Sequence, residues 1–454
     1  MQNIKIKAPL NPSKVLAIGF FAIIAVGSLL LKLPFAVEDG VRVSLLQAVF
    51  TATSAVCVTG LTVVDTVNSY SLFGELVILC LIQLGGLGFM FFATSVLVLT
   101  GRRISLRNRM LLHETMSMPG LSGSVRMTMR FMLIVMAIEI TGSIILASQF
   151  VPLYGFWKGT YYGVFHAISA FCNAGFDLFG TAGSLISFNQ QPAVLLTVSG
   201  LIIIGGLGFT VLADLLDQRF RFKKLHLHSK IVLTVSGFLL AAGTLLIAMI
   251  EWNNPETLAH AAAGPYDKVM NAWFQSTAAR TAGFSSFWQA NLHDSSKLVT
   301  IVLMFIGASP ASTGGGIKTT TVFTLVMLVR SVFHGREDVS AFNRRLSSQF
   351  VKTALSIFFI SMSLLVAGGV IMSLAEHSDG YRMIDLIFEE TSALATVGLS
   401  SADTMTLSNR SQLWLILLMY FGRIGPLTMM LSLSRRNAAK SAGKRYPEEQ
   451  IIVG

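Results

Sequence analysis

The sequence predicts an all-α integral membrane protein built from four parallel repeats of span, pore helix and span around a pseudo-fourfold central pore. The 454 residues are 53% hydrophobic and only 13% charged, about half of the charged share of a soluble domain. Eight apolar segments approach the length that crosses a bilayer, and one glycine-containing motif occurs four times. This composition excludes a soluble enzyme, which would expose large apolar patches, and a disordered chain.

The eight predicted transmembrane helices include five segments without any charge, at 15–31, 76–100, 194–213, 231–250 and 353–375. Three more carry one internal charge each, at 131–150 with Glu139, 298–329 with Lys318 and 413–434 with Arg423. Segment 15–31 follows basic residues but precedes no small-residue cleavage site. We therefore interpret it as a first span and not as a signal peptide.

The basic residues predict the topology. The net charge is +11, and 24 of the 34 Lys and Arg lie at the two termini and in three connections, 101–130, 218–230 and 330–352. Because basic residues between spans favour the inner side of a membrane, both termini and these connections are expected in the cytoplasm. The same distribution argues against a nucleic-acid partner. The cysteines, Cys57, Cys80 and Cys172, have no framework spacing and are expected to be small apolar fillers.

A repeated string lies in each outward-facing connection. Its glycines are Gly60, Gly175, Gly283 and Gly398, which are 115, 108 and 115 residues apart. Before each glycine, the sixth residue is Ser or Thr, the fifth is Ala and the tenth is aromatic. A second glycine follows 24 to 30 residues later and is expected inside the next span, at Gly85, Gly205, Gly307 and Gly422. The motif divides the chain into repeats at 1–100, 101–217, 218–335 and 336–435, followed by a cytoplasmic tail at 436–454.

The strings 84–89, 204–209 and 422–426 around the second glycines are themselves glycine-rich. Such small residues let membrane helices pack closely, and they also let inner helices approach or bend near a pore.

The four loops suggest an ion filter. Non-helical backbone at membrane depth is tolerated where it is buried in protein or lines an aqueous path. Glycine permits a positive φ, so neighbouring carbonyls can turn inward, and rings of four carbonyls can replace the water around K+. The alternative is four tight turns that merely precede a helix. The predicted carbonyl ligands are Val58, Thr59, Gly60, Asn173, Ala174, Gly175, Thr281, Ala282, Gly283, Thr396, Val397 and Gly398; these groups of three are named the glycine segments.

The seventh span is interrupted at 307–321. Pro310 and the run Gly314–Gly316 do not fit a helix. The string is not a Walker A motif, since Ile317 separates Gly316 from Lys318 and no strand precedes it. A polar loop at this depth should face water in the pore, although a kink buried between spans is the alternative.

Arg423 lies in the middle of the last span, where a charge costs about 2.5–3.5 kcal/mol. Facing the pore at ~8 Å, with an effective dielectric of ~20, it would repel a cation by roughly 2 kcal/mol. The alternative is an ion pair that locks helices together, with Glu139 or Asp214 as possible partners.

Arg280 and Asp177 are two further charges close to the glycines. Arg280 precedes Gly283 by three residues and is expected behind the filter, paired with Glu389 or Glu390. Asp177 either attracts cations at the mouth or is a solvated loop acid.

With these motifs, the chain from about residue 12 to residue 435 resembles the Ktr/Trk/HKT superfamily of potassium transporters, and most of all the membrane subunits of bacterial Ktr uptake systems. Residues 396–398 match the start of the potassium-channel string TVGYG. The second glycine of that string is replaced in all four loops, which implies fewer ion sites and a looser K+/Na+ preference. The replacing residues are Thr62, Asp177, Ser285 and Ser400.

The resemblance implies K+ uptake across the bacterial cytoplasmic membrane, with Na+ as a possible activating or transported ion. It also implies a homodimer and a cytosolic nucleotide-binding regulatory subunit, so any nucleotide cofactor would sit on that partner and none in this chain. It assigns gating to the segment 307–321, here named the gate loop, and to a pore-facing Arg. The residues concerned are Gly314, Gly315, Gly316, Lys318 and Arg423.

Two rival functions remain at this point. The first is a cation symporter with alternating access. Inverted repeats would favour that function, whereas the repeats here run parallel and favour a fixed pore. An intramembrane enzyme would need a nucleophile–base pair or metal ligands at depth, and the histidines show no paired helical spacing within a span.

Overall fold

The computed structural model describes residues 12–88, 124–180, 183–261, 264–336, 338–377, 380–425 and 428. The basic N-terminal residues Lys5 and Lys7, segment 89–123, Pro426 and the tail 436–454 lie outside the described residues. Predictions on those positions, including most of the connection 101–130 and the ends of two predicted spans, therefore stay predictions.

The described chain is helical apart from one short hairpin, in which β1 (Ser340–Ala341) pairs antiparallel with β2 (Arg344–Arg345). Short 3-10 turns lie at Pro34–Ala36, Ile186–Phe188, Phe222–Lys224 and Gln289–Asn291. The α-helices are α1 (Pro12–Leu31), α2 (Leu45–Cys57), α3 (Thr66–Ser69), α4 (Leu72–Leu87), α5 (Ser124–Tyr154), α6 (Phe156–Phe171), α7 (Pro192–Leu207), α8 (Phe209–Asp217), α9 (Leu227–Glu251), α10 (Leu258–Ala261), α11 (Pro265–Ala278), α12 (Asp294–Phe305), α13 (Thr319–Phe333), α14 (Ser348–Ala375), α15 (Met383–Leu394) and α16 (Asn409–Ile424).

Among the described residues, four helices are long and apolar enough to cross a membrane by themselves, within α1, α5, α9 and α14. Helices α7 and α8 form a fifth candidate that bends by 95° at Gly208. The predicted span 194–213 is therefore two helices with a sharp bend between them. Gly208 has a φ of 93°, and a side chain there would meet Pro310 O of the gate loop at 2.5 Å, so the bend depends on glycine.

The glycine-rich strings act as helix ends and as packing sites. Helices α4, α7 and α16 end just before Gly88, Gly208 and Gly425, whose φ values are 82°, 93° and 92°. Inside the same helices, Gly85, Gly205 and Gly422 pack directly against the carbonyls of Val56, Phe171 and Leu394. Each carbonyl belongs to the residue four before the glycine of the repeated string. Both interpretations of these strings thus apply, close packing and bending.

The third repeat departs from this pattern. Gly307 lies beyond the end of α12 at Phe305, so it belongs to the predicted interruption of the seventh span and not to a helix. The chain leaves the helix there to form the gate loop, and a Cβ on Gly307 would meet Gly316 Cα at 2.8 Å.

Four short helices, α2, α6, α11 and α15, end immediately before the glycine segments. Their aromatic residues ten positions before the glycine form core contacts, since Phe50, Phe165 and Phe388 have no exposed surface. Helix α2 begins with a capping box, in which the Ser44 and Gln47 side chains satisfy each other's backbone N–H groups. A helix buried on nearly all faces directs its C-terminus, and the loop that follows, into the protein interior.

Candidate pore site

The four glycine segments meet in a closed ring. A Cβ added to any of the four glycines would collide with the carbonyl of the residue that precedes the glycine of the next repeat. The would-be contacts are Gly60 with Ala174 O at 2.5 Å, Gly175 with Ala282 O at 2.8 Å, Gly283 with Val397 O at 2.7 Å, and Gly398 with Thr59 O. The order runs from the first segment to the fourth and returns to the first. Only glycine therefore permits this close packing at the four positions.

The backbone of the ring has the same pattern of positive φ values in all four segments. The glycines have φ values of 91°, 70°, 73° and 97°, and the residues two positions earlier also have a positive φ. Those earlier residues are Val58 at 58°, Asn173 at 59°, Thr281 at 67° and Thr396 at 50°. A non-glycine residue in this conformation costs about 1–2 kcal/mol, and such strain is typical of functional sites. It allows carbonyls to face the ring axis.

Hydroxyl groups hold the segments in this shape. Ser54 Oγ and Ser392 Oγ each accept a hydrogen bond of 3.0 Å from the N–H of the glycine six residues later. Ser169 Oγ instead donates to Phe176 O at 2.7 Å. Thr277 is the exception, since its hydroxyl donates to Trp273 O in its own helix. The recurring Ser or Thr of the sequence motif thus has a structural role in three of the four segments.

A cavity of about 410 Å³ opens on one end of the ring. All four glycines line it, as do the four residues that replace the second glycine of the potassium-channel string, Thr62, Asp177, Ser285 and Ser400. The cavity, here named the outer cavity, therefore begins at the positions where the potassium-channel string has its second glycine.

Three carboxylates also line the outer cavity, those of Asp65, Asp177 and Asp403. Asp177 Oδ1 accepts a hydrogen bond of 3.0 Å from Phe179 N. Burial raises the pKa of the Asp177 carboxyl to about 6, and the nearby charge of Asp65 acts in the same direction. Asp177 is therefore a partly buried acid at the cavity wall, not a freely solvated loop residue.

The gate loop lies at the opposite end of the ring. Gly314 packs against the Thr281 hydroxyl and Gly315 packs against the Thr396 hydroxyl. Both threonines precede their ring glycine by two residues, whereas the outer cavity touches the glycines themselves. The ring thus separates the outer cavity from the gate loop.

Internal hydrogen bonds close the gate loop on itself. Ala308 N donates to Gly315 O at 3.2 Å, and Ile306 pairs with Ile317 as an isolated bridge. Lys318 Nζ donates to Gly314 O at 2.8 Å and to Gly315 O at 3.4 Å. Lys318 therefore stabilises the glycine run and forms no ion pair with a described carboxylate.

Arg423 reaches from α16 to the gate loop. Its guanidinium donates to Thr313 O, to Gly85 O and, at 3.1 Å, to Gly86 O. The alternative of an ion pair with Glu139 or Asp214 is wrong. Gly85 O also accepts a hydrogen bond of 3.3 Å from Gly88 N. The last carbonyls of a helix carry partial negative charge, so they can bind a cation without a carboxylate.

The two carboxylates proposed for that ion pair have other partners. Gln83 Nε2 donates to Glu139 Oε1 at 3.0 Å, and His226 N donates to Asp214 Oδ2 at 2.9 Å.

The expected pairing of Arg280 with Glu389 or Glu390 is also wrong. The Arg280 guanidinium lies behind the ring, as predicted, but donates to Ser236 O at 3.3 Å and to Ser236 Oγ at 3.1 Å. Glu389 instead accepts hydrogen bonds from Ser400 Oγ at 3.1 Å and Ser401 N at 3.3 Å. The loop that follows the fourth segment therefore satisfies this carboxylate.

Sequence reasoning missed a buried ion pair close to the fourth segment. Lys297 Nζ lies 2.6 Å from Asp385 Oδ1, with side chains only 2% and 12% exposed, and Ser401 Oγ donates to the same oxygen at 2.6 Å. One sequence feature could have indicated this pair, because Lys297 directly precedes the apolar segment 298–329. The pair fixes α12 against α15.

Comparison with known proteins identifies relatives over nearly the whole chain. The sequence model of the TrkH family, described as a cation transport protein, matches residues 17–442. The potassium/sodium uptake protein NtpJ of Enterococcus hirae is 37% identical over 452 residues, which are 99% of each chain. The Ktr system potassium uptake protein B of Bacillus subtilis is 38% identical over 444 residues, which are 98% of this chain and 97% of that protein.

The fold is likewise similar to a solved structure. The crystal structure of the potassium transporter TrkH from Vibrio parahaemolyticus superposes with a TM-score of 0.73 and 18% sequence identity. The match covers 96% of this chain and 86% of that one. It shows the shared helical membrane fold.

Proposed function

The chain belongs to the TrkH family of cation transport proteins, as its motifs predicted, and we propose that it takes up potassium across the bacterial cytoplasmic membrane. The observation that carries the proposal is the closed ring of four glycine segments, open to an acid-lined cavity. Relatives named as potassium or potassium/sodium uptake proteins support the choice of ion. The chain is a transporter and not an enzyme.

In this proposal, the four parallel repeats surround a central pore, and the glycine segments are its selectivity filter. A dehydrated K+ exchanges its water for layers of backbone carbonyls, one from each segment per layer. Uptake follows the membrane potential, which contributes ~2.3 kcal/mol per charge per 100 mV. That potential supports roughly 50-fold accumulation without ATP hydrolysis by this chain.

We assign the gate to the loop beneath the ring and to Arg423. Backbone packed against the Thr281 and Thr396 hydroxyls would block an ion that leaves the filter. Arg423 binds the loop at Thr313 O and adds positive charge on the ion path. Both features favour a closed state that a regulatory signal must overcome.

Arg423→Gln is expected to raise K+ uptake about 30-fold, since a repulsion of roughly 2 kcal/mol is removed. Uptake of 86Rb+ or K+ into liposomes at a fixed membrane potential measures this. Arg423→Lys separates charge from hydrogen-bond geometry, because it keeps the charge but replaces the planar, forked guanidinium by a compact ammonium group. If the Arg423→Lys variant takes up K+ as slowly as the parent chain, the charge limits the flux. If the Arg423→Gln variant takes up K+ at the rate of the parent chain, Arg423 has no role in the gate.

The outer carboxylate predicts a pH dependence. A pKa of about 6 makes Asp177 charged above that pH and neutral below it. Lowering the external pH from about 7 to about 5 should therefore reduce uptake at low K+ by about three-fold, since one attracting charge is lost at the mouth. The Asp177→Asn variant should take up K+ slowly at both pH values, and its uptake should no longer change between them. Asp39→Asn removes an exposed acid of the α1–α2 connection that does not line the cavity, so it should behave like the parent.

The partners in this proposal are those of a Ktr-type system. They are K+, the lipid bilayer, a second copy of the chain in a homodimer, and a cytosolic nucleotide-binding regulatory subunit. Na+ is proposed as an activating or transported ion, supported by the potassium/sodium uptake relative. Any nucleotide binds to the regulatory subunit.

The first experiment is K+ and Na+ uptake into liposomes that contain only the purified chain. A saturable K+ flux that exceeds the Na+ flux supports the filter. If neither the chain nor a variant without Gly314–Gly316 conducts either ion, the proposed function is wrong.

A further inference from the structure

Asn173 and Thr313 connect the ring to the gate loop. Thr313 Oγ1 lies 3.2 Å from Asn173 Oδ1 and 3.2 Å from Phe171 O. Asn173 Nδ2 in turn donates to Thr281 Oγ1 at 3.3 Å and to Arg280 O at 3.4 Å. Asn173, Thr281 and Thr313 have no exposed surface. A buried chain of hydrogen bonds therefore runs from the gate loop through the second glycine segment to the third.

This connection breaks the symmetry of the ring. The residues equivalent to Asn173 are Val58, Thr281 and Thr396, and an apolar side chain such as Val58 cannot form the bond. The Thr396 hydroxyl has no hydrogen-bond partner among the described residues. Within the described part of the chain, Asn173 is the one side chain of the glycine segments that hydrogen-bonds to the gate loop.

The backbone of Thr313 is also held on both sides. Its N–H donates to Gly205 O at 3.3 Å and its carbonyl accepts from Arg423. A Cβ on Gly205 would lie 3.0 Å from both Asn173 Oδ1 and Thr313 Oγ1, so the bend-forming helix α7 closes tightly over the contact. Moving the loop away from the ring must break this contact or pull Asn173 with it.

We propose that Asn173 is a positioning residue that couples the ion in the filter to the gate loop through the Thr313 hydroxyl. The proposal rests on the proposed function, since it assigns regulation to the same pore. Asn173 supplies a filter carbonyl from its backbone and a loop contact from its side chain. Ions of different radius place that backbone differently, and the bond to Thr313 then differs in strength. Such a difference between states is what coupling requires.

The decisive variant is Thr313→Val, which keeps the side-chain shape and both backbone bonds but removes the hydroxyl. We expect K+ uptake by the chain alone to rise about five-fold, which corresponds to one net hydrogen bond. Thr313→Ser should restore the parent rate. The matched control is Thr324→Val on α13, whose hydroxyl donates to Thr320 O of its own helix at 2.8 Å and should leave the rate unchanged.

A second readout follows the loop itself. In a Cys80→Ser background, which removes the exposed native thiol, a cysteine introduced by Ser312→Cys is labelled with a maleimide in K+ and in Na+. We expect labelling rates that differ at least three-fold between the ions, and equal rates once Thr313→Val is added. A purely structural role for Thr313 would leave the ratio between the ions unchanged.

A double-variant cycle assigns the partner of the hydroxyl. In an Asn173→Leu background, adding Thr313→Val should have no further effect on uptake. Additive effects would assign the hydroxyl to Phe171 O and overturn the role of Asn173. If the parent chain shows K+-selective flux and Thr313→Val does not change it, the coupling is wrong but the proposed function stands. If neither the parent nor the variant without Gly314–Gly316 conducts, both the proposed function and the coupling are wrong.

Discussion

Gly398→Ser is expected to lower the ratio of K+ flux to Na+ flux about ten-fold while the protein still folds. Gly398 has a φ of 97°, a conformation that costs a residue with a Cβ about 1–2 kcal/mol. The new Cβ would also collide with Thr59 O of the first segment. The carbonyl must therefore move away from its place in the ring. A change of about 1.4 kcal/mol in K+ preference corresponds to the ten-fold loss.

The measurement is the initial uptake of each ion into liposomes at equal concentration and potential. Gly40→Ser is the matched control, because Gly40 has a φ of 84° but no atom within 4 Å of an added Cβ. It carries the same backbone strain outside the ring, so its flux ratio should equal that of the parent. A monodisperse, thermally stable Gly398→Ser protein with an unchanged ratio would contradict the assignment of Gly398 to the filter.

The glycine motif that occurs four times could be recognised in the sequence because the backbone geometry restricts which residue types fit at its positions. A positive φ beside a neighbouring carbonyl accepts only glycine, and the Ser54 and Ser392 hydroxyls bind the N–H of that glycine. Such requirements leave the same residue types at the same spacing in each repeat. The interruption of the seventh span was predictable for the same reason, since Pro310 and three glycines cannot continue a helix.

The contacts of the charged residues were not predictable, because their partners are mostly backbone carbonyls or distant hydroxyls. Arg423 binds carbonyls of α4 and of the gate loop, and any residue type has a carbonyl. Arg280 binds Ser236, 44 residues away. Carboxylate partners were expected because a buried charge needs a compensating partner. In the structure, carbonyls at helix ends and a serine hydroxyl are the partners instead. The glycine-rich string 204–209 allowed a bend, but the 95° angle at Gly208 was not predictable, because an apolar stretch does not specify the direction of the chain that follows.

Deleting Gly314–Gly316 is expected to raise K+ uptake by the isolated chain at least ten-fold. These residues pack against the hydroxyls of Thr281 and Thr396 at the inner end of the ring, and Gly314 O and Gly315 O hold Lys318 Nζ. Removing three residues shortens the loop by up to ~10 Å. The shortened loop can no longer reach across the ring, so the obstruction is lost, and the selectivity of the ring should persist.

Because a deletion can also disturb folding, point variants must give the same direction of change. Gly315→Ala introduces a Cβ that collides with the Thr396 hydroxyl, so it should displace the loop and raise uptake without shortening the chain. Gly237→Ala in α9 meets no atom within 4 Å and should not alter uptake. Raised flux in both loop variants with an unchanged K+/Na+ ratio identifies an obstruction that is separate from the filter. Loss of flux in well-folded loop variants would instead make the loop part of the conducting path, because the ions would then depend on its carbonyls.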